Sequence, residues 1–237
     1  MKDLVIPLGR GGTVEDIELR YCLRSVEKHI KNVRNVVIVG FKPDWIKGII
    51  HLPTEDDHAC KETNIYRKVL LACQDPDITE DFLFFNDDHF ILQDFDADNF
   101  PFFYKGDLLF VLKHLPPYNK YSTCVHKTAY KLKELGLETK NFDTHTPILY
   151  NKQKFIEVMT QHDWAPRFGY VVKSLYANQL KIEGVKEPDC KMNDFPSIES
   201  FYERIKERKV FSIGGGALCD GLKYVWDELY PIPSRWE

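Results

Sequence analysis

No apolar run in this chain approaches the roughly 18 residues needed to cross a bilayer. The N-terminal MKDLVIPLGRGG has none of the long apolar core of a signal peptide. Both absences predict a cytoplasmic protein without a transmembrane segment. Six cysteines occur, at 22, 60, 73, 124, 190 and 219, but they lie far apart and form no C-x-x-C pair. That spacing argues against a zinc knuckle and against a disulfide framework, and predicts reduced, mostly buried thiols. Charge of one sign is not in excess: 32 basic against 36 acidic residues leave a net charge of -4, which gives no electrostatic ground for a nucleic-acid partner. There is no internal repeat, low-complexity tract or linker. Walker A, G-x-G-x-x-G, a G-x-S-x-G elbow and a Ser-His-Asp order are all missing, so a hydrolase triad is disfavoured.

What is present is an alternation. DLVIPL is a short apolar run closed by Pro7 and GRGG, a strand running into a turn. From Glu15 to Ile30, Leu19, Leu23, Val26 and Ile30 keep helical spacing. NVVIVG (35–40) and GIIHLP (48–53) follow as strands, a helix over 62–74 carries Ile65, Tyr66, Val69, Leu70 and Cys73, and DFLFFNDDHFIL (81–92) is the fourth strand. This order predicts an α/β fold with a mainly parallel sheet flanked by helices on both faces. The second half is less regular. DLLFVL (107–112) and TPILY (146–150) look like strands. Helices are expected at 126–136, after Asn151 as cap, and after Ser197 as cap. KVFSIGGGALCDG then predicts a strand entering a glycine turn, and LKYVWDELYP a last helix stopped by Pro231.

In parallel sheets of this kind ligands bind at the carboxyl ends of the strands. That rule puts PLGRGG and NDDH in one region. Side chains on a strand alternate, so Asp87 and His89 share one face and Asp88 takes the other, unless the strand has already ended. Acids with such neighbours suit Mg²⁺ or Mn²⁺ shared with a diphosphate. The plain alternative is an Asx-rich turn capping the next element, against which the apolar FLFF weighs. Whether His89 joins the metal or only continues the strand stays open. LGRGGT, with Gly9, Arg10, Gly11 and Gly12, could cradle phosphate through backbone N–H groups, and is equally a plain flexible loop. NFDTHTPILY sets His145 ahead of a strand, as a general base, a metal ligand or a structural histidine.

An acid cluster ending the fourth strand of such a sheet resembles the GT-A type of glycosyltransferase fold with its Asp-x-Asp motif. Four blocks in order are more specific. ELRYCLRSVEKHIKNVRNVVIVGFKPDWI, DFLFFNDDHFIL, THTPILYNKQKF and LYPIPSRWE resemble blocks of the Stealth family of capsular polysaccharide phosphotransferases, relatives of the lysosomal-enzyme N-acetylglucosamine-1-phosphotransferase, and together span about Glu18 to Glu237. Two departures stand out. IPLGRGG replaces the family's acidic opening stretch, leaving Asp16 or Glu18 to serve, and IGGGALCDG replaces its late NDD or NDG, leaving Asp220.

The resemblance implies a single catalytic domain over 1–237, with 1–100 as a nucleotide-sugar-binding half and 101–237 as an acceptor half. It implies a metal-dependent transferase that passes a sugar 1-phosphate from a nucleotide-sugar to a glycan or other hydroxyl and releases a nucleoside monophosphate. Asp87, Asp88 and His89 would be metal-binding, for Mg²⁺ or Mn²⁺. His145 and Asp88, with Arg167 of WAPRFGY, would be catalytic. Arg20 and Arg24 of the first block would lie near the donor, and Gly9, Arg10, Gly11, Gly12 and Asn86, read from the residues themselves, would bind it as well. An imidazole's ordinary pKa of about 6.5 suits His145 to take the acceptor proton. A GT-A glycosyltransferase releasing a nucleoside diphosphate would use the same residues, and a non-catalytic sugar-nucleotide or glycan-binding protein is the third reading.

Overall fold

The computed structural model describes residues 1–10, 16–115 and 119–237. The first half runs β1 (Lys2–Leu8), α1 (Ile17–His29), β2 (Ile30–Lys31), β3 (Val33–Gly40), β4 (Ile50–Leu52), α2 (Lys61–Gln74), β5 (Asp81–Phe84), β6 (His89–Ile91), β7 (Phe95–Asp96) and β8 (Phe103–Tyr104). The second runs α3 (Leu108–Leu112), α4 (Lys120–Glu134), β9 (Ile148–Asn151), α5 (Lys152–Met159), α6 (Val172–Gln179), β10 (Val185–Lys186), β11 (Lys191–Met192), α7 (Ile198–Ile205), β12 (Val210–Ile213) and α8 (Asp220–Leu229).

The central sheet has the order β4-β3-β1-β5-β9. β1 is parallel to β3 and β5, β3 to β4, and β9 closes one edge antiparallel to β5. Alternation along each strand divides two cores. Leu4, Ile6 and Leu8 of β1, Val36 and Ile38 of β3, and Leu83 of β5 point to one side, where α1 and α8 cover them. Val5, Val37, Val39, Phe82 and Phe84 point to the other, under α2, α4, α5 and α6. Each such side chain contributes about 1.5–3 kcal/mol on burial. A strand apolar on both faces does not specify its own register, because a one-residue slip only exchanges one apolar face for the other. Asp3 supplies the missing pin: its buried carboxylate takes a bidentate pair from Arg34 and accepts the N–H groups of Asn35 and Thr79.

Three expectations are corrected. DLLFVL is the helix α3 rather than a strand, because the Asp107 carboxylate caps it by accepting the Leu109 N–H at 2.7 Å. The fourth strand stops at Phe84 and reopens at His89 in a different sheet of order β11-β12-β6, with Ser212 opposite His89. α6 was not expected, since packing against α2, α4 and α5 buries it almost all round and leaves no amphipathic pattern to read. The caps Asn151 and Ser197 stand as expected, and Gly136, at φ +68°, ends α4. Among the described residues no helix is long and apolar enough to cross a membrane.

Candidate active site

The chain moves outward from β1 to β3 and β4, then returns to β5 on the other side of β1, so the order reverses between β1 and β5. Their carboxyl ends open a crevice there. Gly9 and Arg10 follow β1, and Asn86, Asp87 and Asp88 follow β5.

The segment after β5 is a tight turn. His89 N–H donates to the Asn86 carbonyl, and Asn86 N–H donates to His89 Nδ1 at 3.2 Å. From beneath, α1 props it: the Cys22 thiol reaches the Asn86 carbonyl and Ser25 Oγ accepts the Ile91 N–H. His89 is fully buried, and burial followed by the nearby cations Lys173, His145, Lys191 and Lys61 holds its pKa well below the ordinary histidine value. With Nδ1 occupied as an acceptor, the proton of the neutral ring sits on Nε2. Neither nitrogen then offers a lone pair to a cation, so His89 serves the turn.

Asp87 and Asp88 face different cavities. The first, of ≈ 390 Å³, lies between the end of β1 and the start of α2, and Asp87, Asn86, Gly9, Arg10 and Lys61 line it. Burial, then the adjacent Asp88 carboxylate, pushes Asp87 up to about 6. Lys68, buried, donates to the Leu8 carbonyl and pairs with Asp56, whose carboxylate rests where a Gly9 Cβ would come within 2.6 Å of it. Glycine at 9 is thus required for close packing.

The second cavity, of ≈ 280 Å³, holds Asp88, His145, Asp143, Lys173 and Lys191, and shares Asn86 and Lys61 with the first. Asp88 Oδ2 accepts from Ser212 Oγ at 2.9 Å and lies 3.5 Å from Lys191 Nζ, while its buried Oδ1 has no hydrogen-bond partner among the described residues. His145 sits at φ +54°, a left-handed backbone that costs a non-glycine residue about 1–3 kcal/mol and recurs at functional sites. Its Nδ1 is 2.9 Å from Asp189 Oδ1, and Lys105 is 2.6 Å from the other oxygen. Burial would raise Asp189, but the His145 bond and the charges of His145 and Lys105 outweigh it and hold the carboxyl well below its usual range. An ionised carboxylate only accepts, so Nδ1 carries the proton and Nε2 is the basic nitrogen. Asp143 is likewise lowered: His145, Lys105, Lys173 and a 2.7 Å bond from Tyr121 outweigh its burial.

Other predicted residues sit elsewhere. Arg24 makes a bidentate pair with Glu237 at 2.8 Å for both bonds, and Arg20 lies 3.5 Å from the same carboxylate and stacks on Trp45. The first and last sequence blocks therefore clasp each other, and neither arginine is among the described residues lining the two cavities. Arg167 is exposed and lines neither. Gly11 and Gly12 lie outside the described residues. In the second glycine run, a Cβ at Gly214 or Gly216 would meet Asn193 at 2.6 Å, and one at Gly221 the Phe195 ring at 2.5 Å, so these glycines admit the 193–195 segment.

Asp87, raised by burial and then by Asp88, and the unpartnered Asp88 oxygen are hard carboxylate donors of the kind that Mg²⁺ or Mn²⁺ takes. Sequence reasoning missed Lys61, Lys173, Lys191 and Asp189. Single lysines, in a helix or a short strand, carry no local signal, and Asp189 lies 44 residues from its histidine.

No protein-family model matches the chain, and no curated protein matches it. Among solved structures it is similar to the galactosyltransferase LgtC, described in complex with donor and acceptor sugar analogues. The TM-score is 0.51 and the identity 14%, over 99% of this chain and 97% of that one. The fold is of the GT-A type.

Proposed function

We propose that the chain is a transferase with a nucleotide-sugar donor, and more narrowly that it transfers a sugar 1-phosphate to a hydroxyl with release of a nucleoside monophosphate. One observation carries the reading: a single Asn-Asp-Asp turn separates two cavities, presenting Asp87 to one and Asp88, beside the His145–Asp189 pair, to the other. The cavity whose described lining runs from residue 7 to residue 87 suits the donor, and the one drawing also on 121–191 the acceptor.

Asp87 and Asp88 would hold the divalent ion, which when bound offsets charge on the donor's phosphoryl oxygens. Lys61, at the edge of both cavities, and Lys173 and Lys191 in the second offer further N–H donors to those oxygens. His145 Nε2 takes the proton of the acceptor hydroxyl as its oxygen bonds to the sugar-bearing phosphorus and the bond to the departing nucleoside monophosphate breaks. Asp189 keeps the Nδ1 proton in place and stabilises the resulting imidazolium. Arg10 borders the donor cavity, 3.6 Å from Glu55 and free to be drawn to a phosphate by its exposure.

Glycosyl transfer is the second reading, favoured by a fold shared end to end with a galactosyltransferase. There the same hydroxyl attacks the anomeric carbon and a nucleoside diphosphate leaves. Incubation with UDP-sugars, Mn²⁺ and a panel of glycan acceptors, with the released nucleotide identified by chromatography, separates the two. UMP is expected; UDP selects glycosyl transfer, and donor binding without turnover for any acceptor selects a binding protein.

A further inference from the structure

Behind the second cavity, residues distant in sequence form a cluster that the transfer chemistry does not use. Cys60 caps the N-terminus of α2, Glu62 follows within its first turn, and Cys124 comes from α4. Both cysteines are fully buried. Their Sγ atoms are 3.6 Å apart, and Glu62 Oε2 lies 3.3 Å from Cys60 Sγ and 3.7 Å from Cys124 Sγ. We propose that Cys60, Cys124 and Glu62 form a zinc site, separate from the Asp87–Asp88 pair.

The geometry carries the proposal. A tetrahedral Zn²⁺ with bonds of about 2.3 Å to sulfur and about 2.0 Å to a carboxylate oxygen separates two sulfurs by about 3.8 Å and a sulfur from an oxygen by about 3.5 Å. All three observed edges agree with those values to about 0.2 Å. Two thiol protons alone serve three contacts here, whereas one cation would satisfy all three donors together.

Cys60 has an outer hydrogen-bond partner. Gly169 N–H donates to Cys60 Sγ at 3.2 Å, the kind of outer bond that orients a ligand sulfur. The approach depends on glycine, since a Cβ at 169 would lie 2.7 Å from Thr63 Oγ1. Two sulfurs and one oxygen select zinc, while the all-oxygen pair at Asp87 and Asp88 selects Mg²⁺ or Mn²⁺. Loading releases both thiol protons to solvent and leaves the fourth position to water, the donor count of zinc sites that keep an exchangeable place. The ion would tie α2, α4 and the 165–169 segment together at the wall of the acceptor cavity, which Glu62 lines. The missing C-x-x-C motif argued only against a local knuckle, and these ligands are assembled by the fold.

The test is to produce the full chain with added Zn²⁺, desalt it and measure bound metal by mass spectrometry. One equivalent is expected in wild type and in Asp87→Ala, with at least a tenfold loss in Cys60→Ser and in Cys124→Ser. Co²⁺ loading should give sulfur-to-cobalt charge-transfer absorption in wild type. If the serine variants do not fold, alkylation of native wild type decides: Zn²⁺ should protect two thiols and a chelator should expose them. Wild type without bound zinc, zinc retained in the serine variants, equal alkylation with and without Zn²⁺, or a Cys60–Cys124 disulfide by intact mass would each overturn the proposal.

Discussion

Asp87 and Asp88 are neighbours in sequence with different surroundings. Asp88 is held by Ser212 and Lys191, while Asp87 has burial and Asp88 against its charge. Asp87→Asn and Asp88→Asn should each lower turnover about 10²–10³-fold, the usual loss for a group that stabilises developing charge. Circular dichroism should stay unchanged, and nucleotide release at saturating donor is the measurement. If His145 is the base proposed above, His145→Ala should cost about 10²–10⁴-fold in kcat. Asp189→Asn should cost less, about 10–100-fold, the range for an outer partner that orients a histidine. A loss in kcat with donor KM unmoved marks Asp189 as a positioning residue; a shift in KM or melting temperature alone would mark it as structural.

Among the elements, β1 shows how one polar residue disciplines an apolar strand. Burial raises the Asp3 pKa, but the Arg34 guanidinium and the N–H groups of Thr79 and Asn35 outweigh it, so the folded-state value lies below that of an ordinary aspartate. A lowered folded pKa means that this stabilisation is complete above the unfolded pKa of about 3.9 and is lost as pH falls through the folded value. Asp3→Asn should therefore destabilise by about 1–3 kcal/mol at pH 7, the cost of losing hydrogen bonds to a buried charged group, since the stranded Arg34 stays part-solvated. Urea titrations at pH 7 and at pH 3 are the check, and the gap between wild type and variant should narrow at the lower pH. The turn after β5 teaches the converse. FLFF marks the strand, but where it stops depends on the bond between Asn86 N–H and His89 Nδ1 and on the Cys22 contact from α1.

Across the molecule, the last residue closes onto the first helix. Glu237 receives Arg24 and Arg20, and the bonds from Arg24 and Ser234 outweigh its burial to keep its carboxyl lowered. Glu237→Ala leaves the partly buried Arg24 without its partner, at about 3 kcal/mol. For a chain of this size that is a fall of roughly 6–12 °C in melting temperature, read by calorimetry, with donor affinity unchanged. A loss of donor affinity instead would return Arg20 and Arg24 to the donor site.

Local pattern was enough for much of this protein. The α/β alternation, the parallel sheet, the caps Asn151 and Ser197 and the crevice shared by Gly9 and Asn86 follow from periodicity, turn chemistry and the rule for strand ends, all of which act over a few residues. The five-residue run of α3 was too short for period to tell helix from strand, and α6 carries no stripe because it is covered on all sides. The division of Asp87 and Asp88 between two cavities, the pairing of His145 with Asp189 and the meeting of Cys60 with Cys124 are contacts between residues far apart in the chain. No spacing encodes them, because their distances are set by how helices and sheets pack.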